Sequence, residues 1–396
     1  MARQPHRHST HVEGFVRLLF AFDATLYSAL TPMLPHYASS LSVSRSAIGV
    51  LAGAYPAGMM GGALLGRAIA RAAGARRTII VALLAFAAAS APFGFVTGLG
   101  ALCGLRFLEG MACGCLWCSG LAWVVSVSPS DRRGSAIGSA LSVAVVGTLI
   151  GPVIGTLSLA ISTKLVFLGV AAVSIILALR MRRYAEAPEF PTTQPTRWRT
   201  VGRNPRLLLG LWLVLLDATS FGALGTLLPL RLGHFGASSI AIGATFLLAG
   251  ALSIAAAPVA GRMSDRFGPR RPLAVGLGLS AVLIAVLVLP QVAALLGVMV
   301  VLTIGGSLPF LTVPAAAYMT SVFDALGIAV MTATMLWNLA WSAGETIGAP
   351  AGAALSQAAG NAAPFLISAA LMLVTYVTVR RMISTLEITD PSKQGS

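Results

Sequence analysis

The sequence predicts an all-α integral membrane protein, with twelve transmembrane helices in two pseudo-symmetric six-helix bundles. Three observations predict it. The chain of 396 residues is 57% hydrophobic and only 10% charged, with a mean hydropathy of +0.86. A soluble domain is about 25% charged. Apolar runs of about 20 residues, the length that crosses a bilayer, recur along almost the whole chain. The first half of the sequence also resembles the second. This composition argues against a soluble enzyme or a nucleic-acid-binding protein, and it is too apolar for disorder.

Apolar runs broken by Gly, Pro and charge place the twelve spans at 15–37, 47–69, 78–97, 101–126, 134–160, 164–180, 206–230, 239–261, 272–290, 292–322, 327–357 and 361–381. Very short turns join spans 3 and 4, 9 and 10, and 11 and 12. The N-terminal apolar run is too long for a signal peptide, contains Asp23 and lacks a small-residue cleavage site. His6, His8 and His11 lie in a polar tail ahead of it and read as solvated. Cys103, Cys113, Cys115 and Cys118 all fall on span 4. At 100° per residue they do not converge on one face, so they read as small apolar filler rather than a metal site or disulfide.

The net charge is +15, from 27 Lys and Arg against 12 Asp and Glu. With the N-terminus inside, 23 of the 27 basic residues fall in inside segments, and Arg45, Lys164 and Arg231 fall outside. Cytoplasmic loops collect Lys and Arg. The alternation therefore predicts an even number of spans, both termini cytoplasmic, and a multi-pass protein of the cell membrane. A nucleic-acid surface would not alternate loop by loop. The expected partners are the bilayer and a small-molecule substrate, with the chain working as a monomer.

Residues 183–205 are polar, basic and Pro-containing, and read as a cytoplasmic linker between a bundle at 1–182 and a bundle at 206–396. Asp23-Ala24-Thr25 recurs as Asp217-Ala218-Thr219, 194 residues on. At that offset Leu34-Pro35 matches Leu228-Pro229, and Ile48-Gly49 matches Ile242-Gly243. The loop after span 2 (Gly66, Arg67, Arg71, Gly74, Arg76) matches the loop after span 8 (Gly261, Arg262, Arg266, Gly268, Arg270), with one register slip on each side. Two similar six-span halves point to a transporter with its substrate site near the midplane.

The chain resembles the major facilitator superfamily over its whole length, and within it the drug:proton antiporter branch. Span 1 ends in Pro32-Met33-Leu34-Pro35, with Asp23 ahead of it, as in vesicular amine transporters and their bacterial relatives. Span 4 carries Arg106-Phe107-Leu108-Glu109-Gly110 and then Gly114, similar to the family's Arg-and-glycine motif. Span 5 carries Gly138, Gly147, Gly151-Pro152 and Gly155, similar to the motif associated with exporters, and departs from it only at Thr156. The resemblance implies the major facilitator fold, alternating access and proton-coupled export. It also implies an acidic latch residue in the loop after span 2. That position holds Ala70 here, whereas the second-half copy keeps Asp265.

Five ionisable residues fall inside spans: Asp23, Arg106, Glu109, Asp217 and Glu345. A centred charge costs roughly 2.5–3.5 kcal/mol on insertion scales, so such residues face a wet cavity or each other. Asp23 and Asp217 form a symmetric pair. Each has an aromatic at i+4, Tyr27 or Phe221, on the same helix face. A carboxylate beside an aromatic ring suits an organic cation, while a local cap or pair is the plainer alternative. Glu345 shares a stripe with Asn338 and Trp341. Hydrocarbon favours the neutral form of a carboxyl, which suits a group that binds and releases a proton. Arg106 and Glu109, at i and i+3, can neutralise each other, with Cys113 and Trp117 continuing their face. Glycines every four residues on span 5 let a neighbour approach closely, and Pro152 can bend the span. Together they read as a gating seam between the halves.

No nucleotide loop, dinucleotide fingerprint, zinc signature or nucleophile elbow is present. The expectation is therefore not an enzyme but a secondary transporter without cofactor, driven by the proton gradient. It would export a small amphipathic, cationic compound. A sugar or metabolite efflux carrier, or an uptake symporter, is the alternative, and a non-transporting receptor is a distant third.

Overall fold

The computed structural model describes residues 4–128, 133–184, 202–328 and 330–387, and these contain helices, turns and no strand. Helix α1 (Gln4–Ala29) continues through a 3-10 turn, Thr31–Met33, into a short helix, Leu34–Ser40. The break follows from Pro32 and Pro35, which lack the N–H that an unbroken helix needs. The first half is completed by α2 (Arg45–Ala73), α3 (Ala75–Phe93), α4 (Leu99–Val127), α5 (Arg133–Ala160) and α6 (Thr163–Met181). The second half holds α7 (Pro205–His234), α8 (Ser239–Phe267), α9 (Arg270–Val286), α10, α11 (Val330–Ala359) and α12 (Ala363–Glu387). Helix α10 is composite: Ala293–Val300, a π-helical stretch Val301–Ser307, then Pro309–Ala325.

The twelve helices match the expected spans in order. The largest departure is at the start, where α1 begins at Gln4 rather than near residue 15. Residues 185–201 of the expected linker lie outside the described residues. So do the side chains of His6, His8, His11, Arg67 and Arg71, and the surroundings of Gly138. Among the described residues, ten helices are long and apolar enough to cross a membrane. The other two are α9, at 17 residues, and α11, which is diluted by Asn338, Ser342, Glu345 and Thr346. Large apolar side chains such as Leu65, Val81, Leu165, Ile176 and Val374 are exposed on the outside, as lipid contact requires.

The internal repeat shows in the helix ends. Ser44 caps α2 by accepting from Ala47 N, and Ser238 caps α8 by accepting from Ala241 N. Such a cap satisfies an otherwise orphaned N–H. Gly74 and Gly268 then follow the last turns of α2 and α8 with φ of 85° and 71°, a conformation that favours glycine. Both pairs are separated by the repeat offset.

Twelve helices run alternately up and down, so the start of α1 and the end of α12 lie at one end of the bundle, with the basic turns after α2 and α8. Across the opposite, far end the halves are tied together. Arg45 donates to Ser356 Oγ at 3.2 Å and to Asn361 Oδ1. Ser46 donates to Gln357 Oε1 at 2.8 Å, and Thr156 to Ser239 O at 3.3 Å. Helix α2 packs along α11, and α5 along α8.

Candidate functional site

Between the halves lies a cavity of about 630 Å³, within the range of small-molecule sites. Its walls come from α1, α2, α4 and α5 on one side and α7, α8, α10 and α11 on the other. Ser142, Val145 and Val146 of α5 and Ser253, Ile254 and Pro258 of α8, two helices packed along each other, also line it.

Two buried carboxylates of the second half line the cavity. Asp217 is 2% exposed and Glu345 4%, and neither has an ion-pair partner among the described residues. Thr312 Oγ1 donates to Asp217 Oδ2 at 2.6 Å, while Asp217 Oδ1 has no partner. Glu345 Oε1 accepts from the Tyr27 hydroxyl at 2.7 Å, which joins α11 to α1 across the halves. Phe221 and Trp341 line the same wall with ring centroids 6.0 Å apart. Asn338 does not reach this cavity. It lines a separate small space with Met59, Trp117 and Cys118, so the expected stripe divides.

Asp23 is placed differently from its repeat partner. It turns away from the cavity into the first half, where three donors converge on it: Tyr55 Oη at 2.5 Å, Cys113 Sγ at 2.9 Å and Trp117 Nε1 at 2.9 Å. Tyr27 lies on the same side of α1 as Asp23, and both meet Tyr55, whose ring centroid is 5.4 Å from that of Tyr27 and whose hydroxyl donates to Asp23. Beyond Tyr55, Asp23 is held by Cys113 and Trp117 of α4, while the Tyr27 hydroxyl reaches Glu345 of α11. Cys113 is also not apolar filler, and neither is Cys115, which donates to Gly62 O at 3.3 Å. Phe20 stacks on Trp117 at 4.1 Å and holds the indole in place.

Arg106 and Glu109 form the expected pair, 3.0 Å apart and almost fully buried. Ser90 also donates to Glu109, at 2.8 Å. Arg106 sits 4.6 Å from the Tyr55 ring centroid and donates to the carbonyls of Leu26 at 3.5 Å and Tyr27 at 3.2 Å. These carbonyls lie in the last turn of α1, where helices leave acceptors unpaired and favour a cation. Arg106 thus caps the end that the prolines create, and it also lines the cavity.

The span-5 glycines do not form the expected seam between the halves. Gly147 lies against Ala21, Gly151 against Thr25 and Ser28, and Gly155 against Ala29 and Pro32, all on α1 of the same half. Thr25 and Ser28 seal that contact by donating to Gly147 O and Thr148 O, each at 3.0 Å. In the second half Gly344, Gly348 and Gly352 meet α7 in the same way. Periodicity predicted a close approach but could not say which neighbour makes it. Contact between the halves uses other glycines: Gly49 and Gly53 meet α11, and Gly243 meets Pro152 and Thr156.

In the loop motifs, Gly66 packs on Cys115, while Gly261 has only Val313 near it. Arg262, Asp265 and Arg266 are exposed, with Arg266 5.3 Å from the Phe267 ring. Arg270 lines a basic-end pocket with Arg206 and Tyr318. Sequence reasoning missed Tyr55, Ser90 and Thr312, each of which reaches a carboxylate from another helix with no local signal.

A family model described as Major Facilitator Superfamily matches residues 16–344. A chloramphenicol resistance protein of Streptomyces lividans is 29% identical over 385 residues, covering 92% of this chain and 95% of its own. An uncharacterized transporter of the same superfamily from Yersinia pseudotuberculosis is 23% identical over 252 residues, covering 63% of this chain and 65% of its own. Among solved structures, a bacterial homolog of the human lysosomal transporter Spinster matches with a TM-score of 0.76 at 15% identity, over 97% of this chain and 99% of that one. The nucleoside transporter NupG matches with a TM-score of 0.74 at 13% identity, over 94% and 99%.

Proposed function

The chain belongs to the Major Facilitator Superfamily, a family of multi-pass membrane transporters and not of enzymes, and from that premise we propose that it is a proton-coupled exporter of a small amphipathic, cationic compound. The observation that carries this reading is the cavity between the halves, with Asp217 and Glu345 on its wall and no cation paired to either among the described residues. Buried carboxylates without a counter-ion take up a proton or a cation, and either can displace the other. The glycine pattern of α5 and the Streptomyces lividans relative's resistance role favour export, and of a drug-like compound. The protein works as a monomer in the cell membrane, needs no cofactor, and has the basic end in the cytoplasm. The far-end ties then close the extracellular side, and the cavity loads from within.

Exchange of one proton for one monovalent cation moves no net charge. The driving force is then the pH gradient, about 1.4 kcal/mol per pH unit. The voltage, worth about 2.3 kcal/mol per charge per 100 mV, contributes little. The test is transport into everted membrane vesicles. Accumulation of a cationic aromatic amine should collapse with the pH gradient and persist when voltage alone is dissipated. Accumulation that follows voltage alone would overturn proton-for-cation exchange.

A further inference from the structure

The cavity wall carries two buried polar atoms with no partner, and they are of opposite character. Arg106 Nε donates to nothing and Asp217 Oδ1 accepts nothing. Both residues line the same cavity, Arg106 from α4 of the first half and Asp217 from α7 of the second. The other buried atoms without partners among the described residues, Arg17 Nε and Ser119 Oγ, belong to residues that do not line it.

Buried polar groups are nearly always hydrogen-bonded, and each exception calls for a cause. A water can satisfy one such atom. A donor and an acceptor contributed by the two halves to the lining of one ligand-sized cavity fit a ligand that reaches both. The remaining atoms of each group are already fixed. Glu109 and the last α1 carbonyls hold the rest of Arg106, and Thr312 holds the other oxygen of Asp217. Each atom without a partner thus belongs to an immobilised group on the cavity wall, which lowers the ordering cost of binding.

We propose that the transported compound is bifunctional, with a hydrogen-bond donor at one end for Asp217, an acceptor at the other for Arg106, and a flat apolar middle against Phe221 and Trp341. This rests on the exporter reading and narrows its substrate class. A cation with no acceptor would leave the Arg106 Nε–H without a partner, which selects against it.

The test is calorimetric binding to the purified full-length protein in detergent, at one pH, with three matched probes. These are 2-phenylethylamine (donor only), methyl benzoate (acceptor only) and methyl 4-(2-aminoethyl)benzoate (both). The bifunctional probe is expected to bind at least tenfold tighter than either of the others. Arg106→Lys keeps the charge opposite Glu109 but lacks the Nε–H. It should weaken the ester-bearing probes about tenfold and leave 2-phenylethylamine unchanged. Asp217→Asn should do the reverse, weakening the amine-bearing probes. Affinities ranked by the amine alone, with Arg106→Lys without effect, would overturn the proposal, as would no binding of any probe. Melting curves identify a variant that fails to fold, and the wild-type ranking then decides by itself. Binding that follows the expected pattern without pH-driven transport would support the bifunctional site and sink the exporter reading.

Discussion

The Tyr27 hydroxyl donates to Glu345 Oε1 at 2.7 Å, and this bond ties α1 of the first half to α11 of the second on the wall of the cavity. On the exporter reading, a bond in this place couples the occupancy of a carboxylate to the relative position of the two halves. Alternating access needs such a link, because a ligand can shift a conformational equilibrium only through contacts that differ between the states.

If the bond works as a link, Tyr27→Phe and Glu345→Gln should each slow pH-driven export by about tenfold, as expected for a hydrogen bond to a charged group. The double variant should be no worse than the poorer single one, since both remove the same interaction. Initial rates in everted vesicles measure this. Fully multiplicative losses would mean that the two residues act independently.

The two repeat-related aspartates should behave differently. Asp23 holds three donors inside the first half, so Asp23→Asn should lower stability by about 2 kcal/mol, read as a lower melting temperature in detergent. Asp217 holds one donor and faces the cavity. Asp217→Asn should melt close to the wild type and lose pH-driven transport. Equal melting of both variants would refute the structural role given to Asp23.

Much of this architecture is legible in the sequence because the bilayer imposes it. Span length, loop charge and the repeat at Asp23 and Asp217 are one-dimensional patterns. The Arg106–Glu109 pair was legible too, since i and i+3 share a helix face. The destination of each side chain was not. Asp23 and Asp217 sit at equivalent positions in similar sequences, yet Tyr55, Cys113 and Trp117 enclose one while the other faces open space. Those partners come from α2 and α4, and no local pattern specifies how far a neighbouring helix is rotated. The seam glycines were missed for the same reason.

Where helices touch backbone to backbone, bulk should be fatal. A side chain at Gly151 would run into Thr25 O and Ser28 Oγ on α1. Gly151→Leu should therefore cost at least about 3 kcal/mol through overpacking and leave little folded protein after detergent extraction. Gly169 has no atom within 4 Å of the position a Cβ would take. Gly169→Ala should fold normally and gain up to about 1 kcal/mol from helix propensity. Size-exclusion profiles and melting curves separate the two outcomes, and a monodisperse Gly151→Leu protein would contradict the close α1–α5 contact.

The far-end ties should control which side of the cavity is open. Arg45 reaches Ser356 and Asn361, and Ser46 reaches Gln357. Each bond contributes about 1 kcal/mol net, so Arg45→Ala with Gln357→Ala should shift the balance between states at least about tenfold. Ala52 lines the cavity on the α2 segment nearest this end, which makes Ala52→Cys a reporter, with Cys103→Ser and Cys118→Ser removing the partly exposed native thiols. A membrane-impermeant maleimide applied from the far side should label the reporter slowly with the ties intact and several-fold faster without them. Unchanged labelling would mean that the packing of α2 on α11 and of α8 on α5 closes this end without help from the polar ties.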